Sequence, residues 1–259
     1  MKSSVRLPAS LAAAAAALLL TSASLAVFAK GQLPNHRRPE PANACADRCD
    51  AVVIDWSAAA VQVIEAADGY ADPMAASRAL AMMHLAMHDA VNAVQPRYRR
   101  YALDTLPASA GEADATVAAA VAAHDVLAGL YPQPAATTLL KAQLARTLFE
   151  AGVGATVEAG KATGHAAAAA VLAKRAHDGS RAFEAYSEGS RPGEYRYTAP
   201  FDFAAAPHWR NLEPFALASA AQFRTAPPPA LDSEDYRRAF EEVRRVGGVV
   251  VRYVDGLLG

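Results

Sequence analysis

Apolar residues recur at three- and four-residue steps along most of this chain, the period of packed helices rather than of strands. The clearest segment is Ser77 to Tyr98, SRALAMMHLAMHDAVNAVQPRY. Wound as a helix, it aligns Leu80, Met83, Met87, Val91 and Val94 as one seam, with Leu85 and Met82 on other sides. A helix apolar nearly all round needs neighbours on every side, so this one is expected at the centre of a bundle. Pro73 near its start lacks only an amide that a first turn leaves unused, and Pro96 stops it. Polar side chains interrupt the apolar surface at His84, His88, Asp89 and Asn92; His84, His88 and Asn92 step round one flank.

Further helices are predicted on either side. The first runs from about Val52 to Ala67, with Val53, Trp56, Ala60 and Ile64 on one side and Gly69 closing it. A third covers about Ala113 to Tyr131 and ends at Pro132; a fourth covers about Ala135 to Glu150, broken by Gly152 and Gly154. The fifth, about Ala155 to Ala176, carries an almost unbroken Ala face with Gly160 and Gly164, small enough for a neighbouring helix to approach closely, and Gly179 is its stop. From Ser180 to Leu231 the chain reads as loop, rich in Pro and in aromatics (Tyr186, Tyr195, Tyr197, Phe201, Phe203, Trp209). An irregular stretch of that length usually has a function or wraps another part of the protein. Asp232 is expected to cap a last helix to about Arg245, with Asp235 at the reciprocal position. The fold class is therefore all-α.

The two ends read differently. Lys2 and Arg6 precede an uncharged run from Leu7 to Ala29 whose apolar core is Leu11 to Leu20, the pattern of an export signal over residues 1–29. Cleavage is favoured, before Lys30 after Val27-Phe28-Ala29 or at Thr21-Ser22-Ala23; an uncleaved anchor is the rival, weakened by Pro8, Ser10, Thr21, Ser22 and Ser24. Once the signal is cut, no stable membrane span is expected. Residues 30–50, with Pro34, Pro39 and Pro41, read as a linker. Cys45 and Cys49 are the only two cysteines, and His36 alone is close enough to join them on a metal, so a local disulfide is favoured over free thiols in an oxidising, periplasmic or extracellular compartment. After Val246, Gly247-Gly248 leads into the β-branched run Val249 to Val254, which has no partner strand; residues 247–259 are read as an atypical tail, from a frameshift or mis-assigned gene end. With 25 Lys and Arg against 26 Asp and Glu in 259 residues, the chain has no electrostatic footprint for nucleic acid.

Three blocks together carry a resemblance. The Ser77–Tyr98 segment, GHAAAAAVLAKRAHDGS from Gly164, and WRNLEPFALASAAQFR from Trp209 followed by Pro227-Pro228-Pro229-Ala230-Leu231 and SEDYRRAFEEV resemble, in order and spacing, the N-terminal half of bacterial vanadium-dependent haloperoxidases, relatives of the type-2 phosphatidic acid phosphatases. The likeness spans about Val53 to Val246, and residues 51–246 are read as the corresponding helical domain. It implies two helical bundles with the reactive centre in the second, and the chain is expected to stop before that bundle begins. The family would use vanadate and peroxide to oxidise halide, or hydrolyse phosphate esters at a related site.

Such a site needs cationic and backbone donors around an oxyanion and a His at its centre. The resemblance implies three motifs: Lys, six residues, Arg-Pro; Ser-Gly-His; and Ser-Arg, about five residues, His. Each has a flawed echo. Lys174 and Arg181 keep the first spacing, but Ala182 follows where Pro is expected. Thr163-Gly164-His165 imitates the second inside a helix, and Ser77-Arg78 with His84 imitates the third, with His88 and Asp89 near the orienting position. The plainer reading is that Arg78, His84 and Asp89 satisfy one another or nearby loops. His84 and His88, four apart, would hold a metal only with help from His124 and Asp125. No catalytic, cofactor-binding or metal residue is assigned, and no cofactor is expected in this chain; vanadate would belong to a full-length member. The functional expectation is an exported haloperoxidase-like or phosphatase-like N-terminal portion, truncated before its oxyanion site and inactive alone. The alternative is a self-contained exported binding or scaffold domain using the Tyr186–Trp209 loop. The expected partner is a missing C-terminal bundle or a second copy of the chain.

Overall fold

A computed structural model of the protein describes residues 46–247, with side chains from Asp50 onward. Among these residues there are six α-helices and no strand: α1 Ala46–Ala66, α2 Pro73–Val94, α3 Ala115–Leu130, α4 Pro134–Ala151, α5 Ala155–Lys174 and α6 Glu234–Val246. The export segment, most of the linker, Cys45 and the Val249–Val254 run lie outside the described residues. Cys49 is described only as helix backbone, so the disulfide lies outside them too. Helix α1 begins at Ala46, within the stretch read as linker and about six residues before the expected start.

Three helix starts carry a side-chain cap. Asp72 accepts the Ala75 amide and Pro73 opens α2; Asp114 accepts the amides of Thr116 and Val117 and opens α3. The last helix is capped by Ser233, whose hydroxyl accepts the Tyr236 amide, one residue later than expected. With Ser233 as cap, Asp235 is not three residues on and forms no reciprocal box; it pairs instead with Arg238.

Helices α1 to α5 form the bundle, and its most enclosed member is α3 rather than α2. Every residue from Val117 to Ala123 is buried, as are Val126 and Leu127. Helix α2 contributes Met82, Met83, Ala86, Met87 and Ala90 to the core, while Leu80, Val91 and Val94 of the expected seam are only half-buried. Rotation of α1 replaces Val53 by Val52 on its inner face, beside Trp56, Ala60, Val63 and Ile64. Helix α5 lies closest to α3. A methyl group added at Gly164 would stand 2.6 Å from the Ala118 carbonyl oxygen and 2.7 Å from Val121 Cβ, so only glycine permits the approach. Beyond α5 the chain is irregular except for a short 3-10 turn at Pro207–Asn211, and α6 buries none of its residues. No helix among the described residues is long and apolar enough to cross a membrane.

Candidate functional site

Two anchors pin irregular chain against one end of the bundle. Arg175, at the end of α5, is wholly buried, and Asp178 nearly so. Arg175 donates from Nε to Asp178 Oδ2 at 2.9 Å, and Arg78 of α2 donates to the same oxygen at 2.7 Å. Arg78 also reaches the Arg175 carbonyl at 2.8 Å, and Arg175 donates to the Glu213 carbonyl at 2.6 Å while its guanidinium covers the Phe215 ring at 4.0 Å. Burial alone would raise the Asp178 carboxyl, but hydrogen bonds from Arg78 and Ser180 hold it below the ordinary carboxylate range. One carboxylate thus ties α2, the end of α5 and the segment 213–215 together.

The second anchor is Asp89, also fully buried. Its carboxylate accepts the backbone amides of Tyr101, Ala102 and Leu103 at 2.6, 2.7 and 2.8 Å. One turn on, Asn92 accepts the amides of Arg97 and Tyr98, and His88 Nε2 donates to the Arg99 carbonyl at 3.1 Å. Three of the polar residues that interrupt the apolar surface of α2, His88, Asp89 and Asn92, therefore hold the chain that follows it.

Between the two anchored segments lies an open groove of about 570 Å³. Its walls come from α2 (His84, Leu85, His88), the loop at Arg99 to Tyr101, Lys174 at the end of α5, and the segment Glu213 to Ala216. Lys174 Nζ stands 5.3 Å from the centre of the Tyr101 ring. Burial holds the His84 imidazole below its usual range.

On another side of the bundle, Asp125 of α3 accepts from Nδ1 of its neighbour His124 at 2.8 Å and from Nδ1 of His165 on α5. A carboxylate only accepts, so both Nδ1 atoms carry the proton. Burial would raise Asp125, but those two hydrogen bonds lower it.

The motif echoes do not converge. Arg78 serves Asp178, His84 lies 3.5 Å from Ser57, and Asp89 holds backbone; the three satisfy loops and neighbouring helices rather than one another. Thr163 bonds back to the Ala159 carbonyl, Gly164 is pressed on α3, and His165 pairs with Asp125. Arg181 is exposed. Vanadate does not fit these residues: Arg78 is committed to Asp178, the TGH amides belong to α5, and His84 faces Ser57 of α1 rather than either of the other echoes. Among the described residues no group of three His, Cys, Asp or Glu is placed to hold a metal ion. Reading motifs missed the Arg175–Asp178 anchor, although Arg and Asp three apart at a helix end was its visible signal.

A family model described as the vanadium chloroperoxidase N-terminal domain matches residues 60–201. A helical bundle of this order therefore falls in the haloperoxidase class. The chain belongs to the vanadium chloroperoxidase N-terminal domain family. A similar solved structure is described as the first bacterial vanadium-dependent iodoperoxidase, with a TM-score of 0.59 and 25% identity, covering 81% of this chain and 52% of that one. The chain thus spans about half the length of that relative. No curated protein matches.

Proposed function

We propose that this chain is the exported, helical, non-catalytic half of a two-bundle vanadium-dependent haloperoxidase or related acid phosphatase, and that it turns over no substrate alone. The disposition of its cations carries this reading. Arg78 and Arg175 share Asp178, and the amides of the one Gly-His echo are inside a helix packed on its neighbour. A reacting oxyanion needs several donors converging on one pocket, and losing a single donor costs roughly 10²–10³ in rate. Membership of the N-terminal domain family and the half-length match to an iodoperoxidase support assigning the oxyanion chemistry to a second half outside the matched region. The basic start and apolar run of residues 1–29 support export, and a Cys45–Cys49 bridge suits that compartment.

Activity tests this directly. Purified chain given orthovanadate, hydrogen peroxide and iodide or bromide is expected to halogenate a phenol dye no faster than buffer, and to leave p-nitrophenyl phosphate intact. Joining the C-terminal half of a family member is expected to restore turnover. Activity of the chain alone that vanishes on Arg78→Ala or His84→Ala would overturn the reading and put a working site in this bundle.

A further inference from the structure

We propose that the groove between α2, the Arg99–Tyr101 loop and the 213–216 segment is a binding site for a small organic anion, one carboxylate, sulfonate or phosphate on an apolar body. The inference stands independently of how the chain relates to a second bundle.

The walls come first. Asp89 fixes the backbone from Tyr101 to Leu103, and the Arg78–Asp178–Arg175 network fixes Glu213 and the ring of Phe215. Two otherwise irregular segments are thereby held at a set separation by buried carboxylates. A pre-formed cleft loses little ordering entropy when a ligand enters. Its volume, about 570 Å³, is within the range of small-molecule sites.

The lining then sets the ligand's chemistry. Leu85, Pro214, Phe215 and Ala216 supply apolar surface, with the Tyr101 ring beside them. Around this surface stand Arg99, Arg100 and Lys174, against one carboxylate, Glu213. Among the described residues none of the three cations forms an ion pair, whereas Arg78, Arg146, Arg175, Arg191 and Arg210 all do. Lys174 lies over the Tyr101 ring and Arg100 gives its Nε to the Leu103 carbonyl, so both heads are oriented without being neutralised. Apolar surface beneath uncompensated cations is complementary to an amphiphilic anion. A neutral apolar molecule would forgo the charge, and a small inorganic anion would forgo the burial.

Calorimetric titration of the chain with 2-naphthoate tests the assignment, beside its neutral amide, 2-naphthamide, and acetate. Saturable binding is expected for naphthoate, with both comparators weaker by roughly tenfold. The double variant Arg99→Gln, Lys174→Gln changes exposed side chains only and is expected to weaken naphthoate by about tenfold, two surface contacts' worth. Arg146→Gln, a surface cation on α4, is expected to change nothing. Amide resonances of Leu85 and Ala216 are expected to shift on saturation. No saturation by about 10 mM, equal affinity for the amide, an unaffected double variant, or shifts confined to α6 would each overturn the proposal.

Discussion

Asp178 shows how much one side chain can organise here. It is the single carboxylate on two arginines, one of them wholly buried, and through them it holds a segment 35 residues further on. Removing one partner of a buried pair leaves the other charge uncompensated, which typically costs about 3–5 kcal/mol. Asp178→Asn keeps the shape and loses the charge, and is expected to destabilise the bundle towards the lower end of that range in urea unfolding. The pH dependence has a definite sign. The folded carboxyl is held below its unfolded value of about 3.9, so the folded state binds the proton less readily. Its contribution is complete above that value and is lost as pH falls through the folded pKa. Asp178→Asn is expected to remove this acid-limb loss, and an unchanged acid slope would count against the anchor. At His84 burial acts on a base, so its ring is expected to titrate below about 6.5 when followed by proton NMR. At this scale the sequence displayed the right residues and concealed their partners. Asp89 and His88 stood out as polar breaks in an apolar helix, but their partners are backbone groups of the following loop, and backbone carries no sequence signal.

At the scale of the element, periodicity was the reliable guide. Pro73 opens α2, and α3 and α4 stop just before Pro132 and Gly152 as read, because a missing amide or a glycine acts locally. The Asp114 cap of α3 and Pro134 at the start of α4 were not picked out, and α5 ends at Lys174, five residues short of Gly179. What periodicity could not give was which face turns inward. Val52 rather than Val53 faces the core because α1 must serve both α3 and α4, and that is decided by neighbours. Likewise α3, a plain run of Ala and Val, takes the centre because its small side chains let α2 and α5 close on it. The Gly160–Gly164 stripe was legible as a close approach, and its consequence is measurable. Gly164→Ala gains up to about 1 kcal/mol of helix propensity but places a methyl 2.6 Å from a backbone oxygen, an overpacking that typically costs about 1–3 kcal/mol. A net fall in thermal stability is expected. Gly111→Ala, where nothing lies within 4 Å, is expected to be nearly neutral. Equal melting temperatures for the two variants would mean that α5 does not pack on α3 through this stripe.

Over the whole molecule, burial divides the described chain at the segment that Arg175 pins. Up to Phe215 the irregular chain is repeatedly tied back: Glu213 donates its amide to the Asp178 carbonyl, Phe215 lies under Arg175, and His208 reaches the Ser180 carbonyl. From Ala216 to Asp232 every residue is exposed, and α6 beyond them leaves Phe240, Val243 and Val246 largely in solvent. Its polar side is laced with ion pairs, Arg237 to Glu234 and Arg244 to Glu241, so the helix is locally consistent while its apolar side has no partner among the described residues. Local unfolding needed for proteolysis is cheapest where few buried contacts oppose it. Limited trypsin digestion is therefore expected to cut first at Arg224, or within the arginine-rich α6, and to leave a fragment ending at or shortly after Arg224 that keeps its helical circular dichroism and its cooperative melt. The arginines of the bundle differ in kind: Arg78 and Arg175 are shielded by the network that holds them. Early cleavage after either, or loss of the melt once the segment beyond Arg224 is removed, would show that the bundle depends on α6 for its stability.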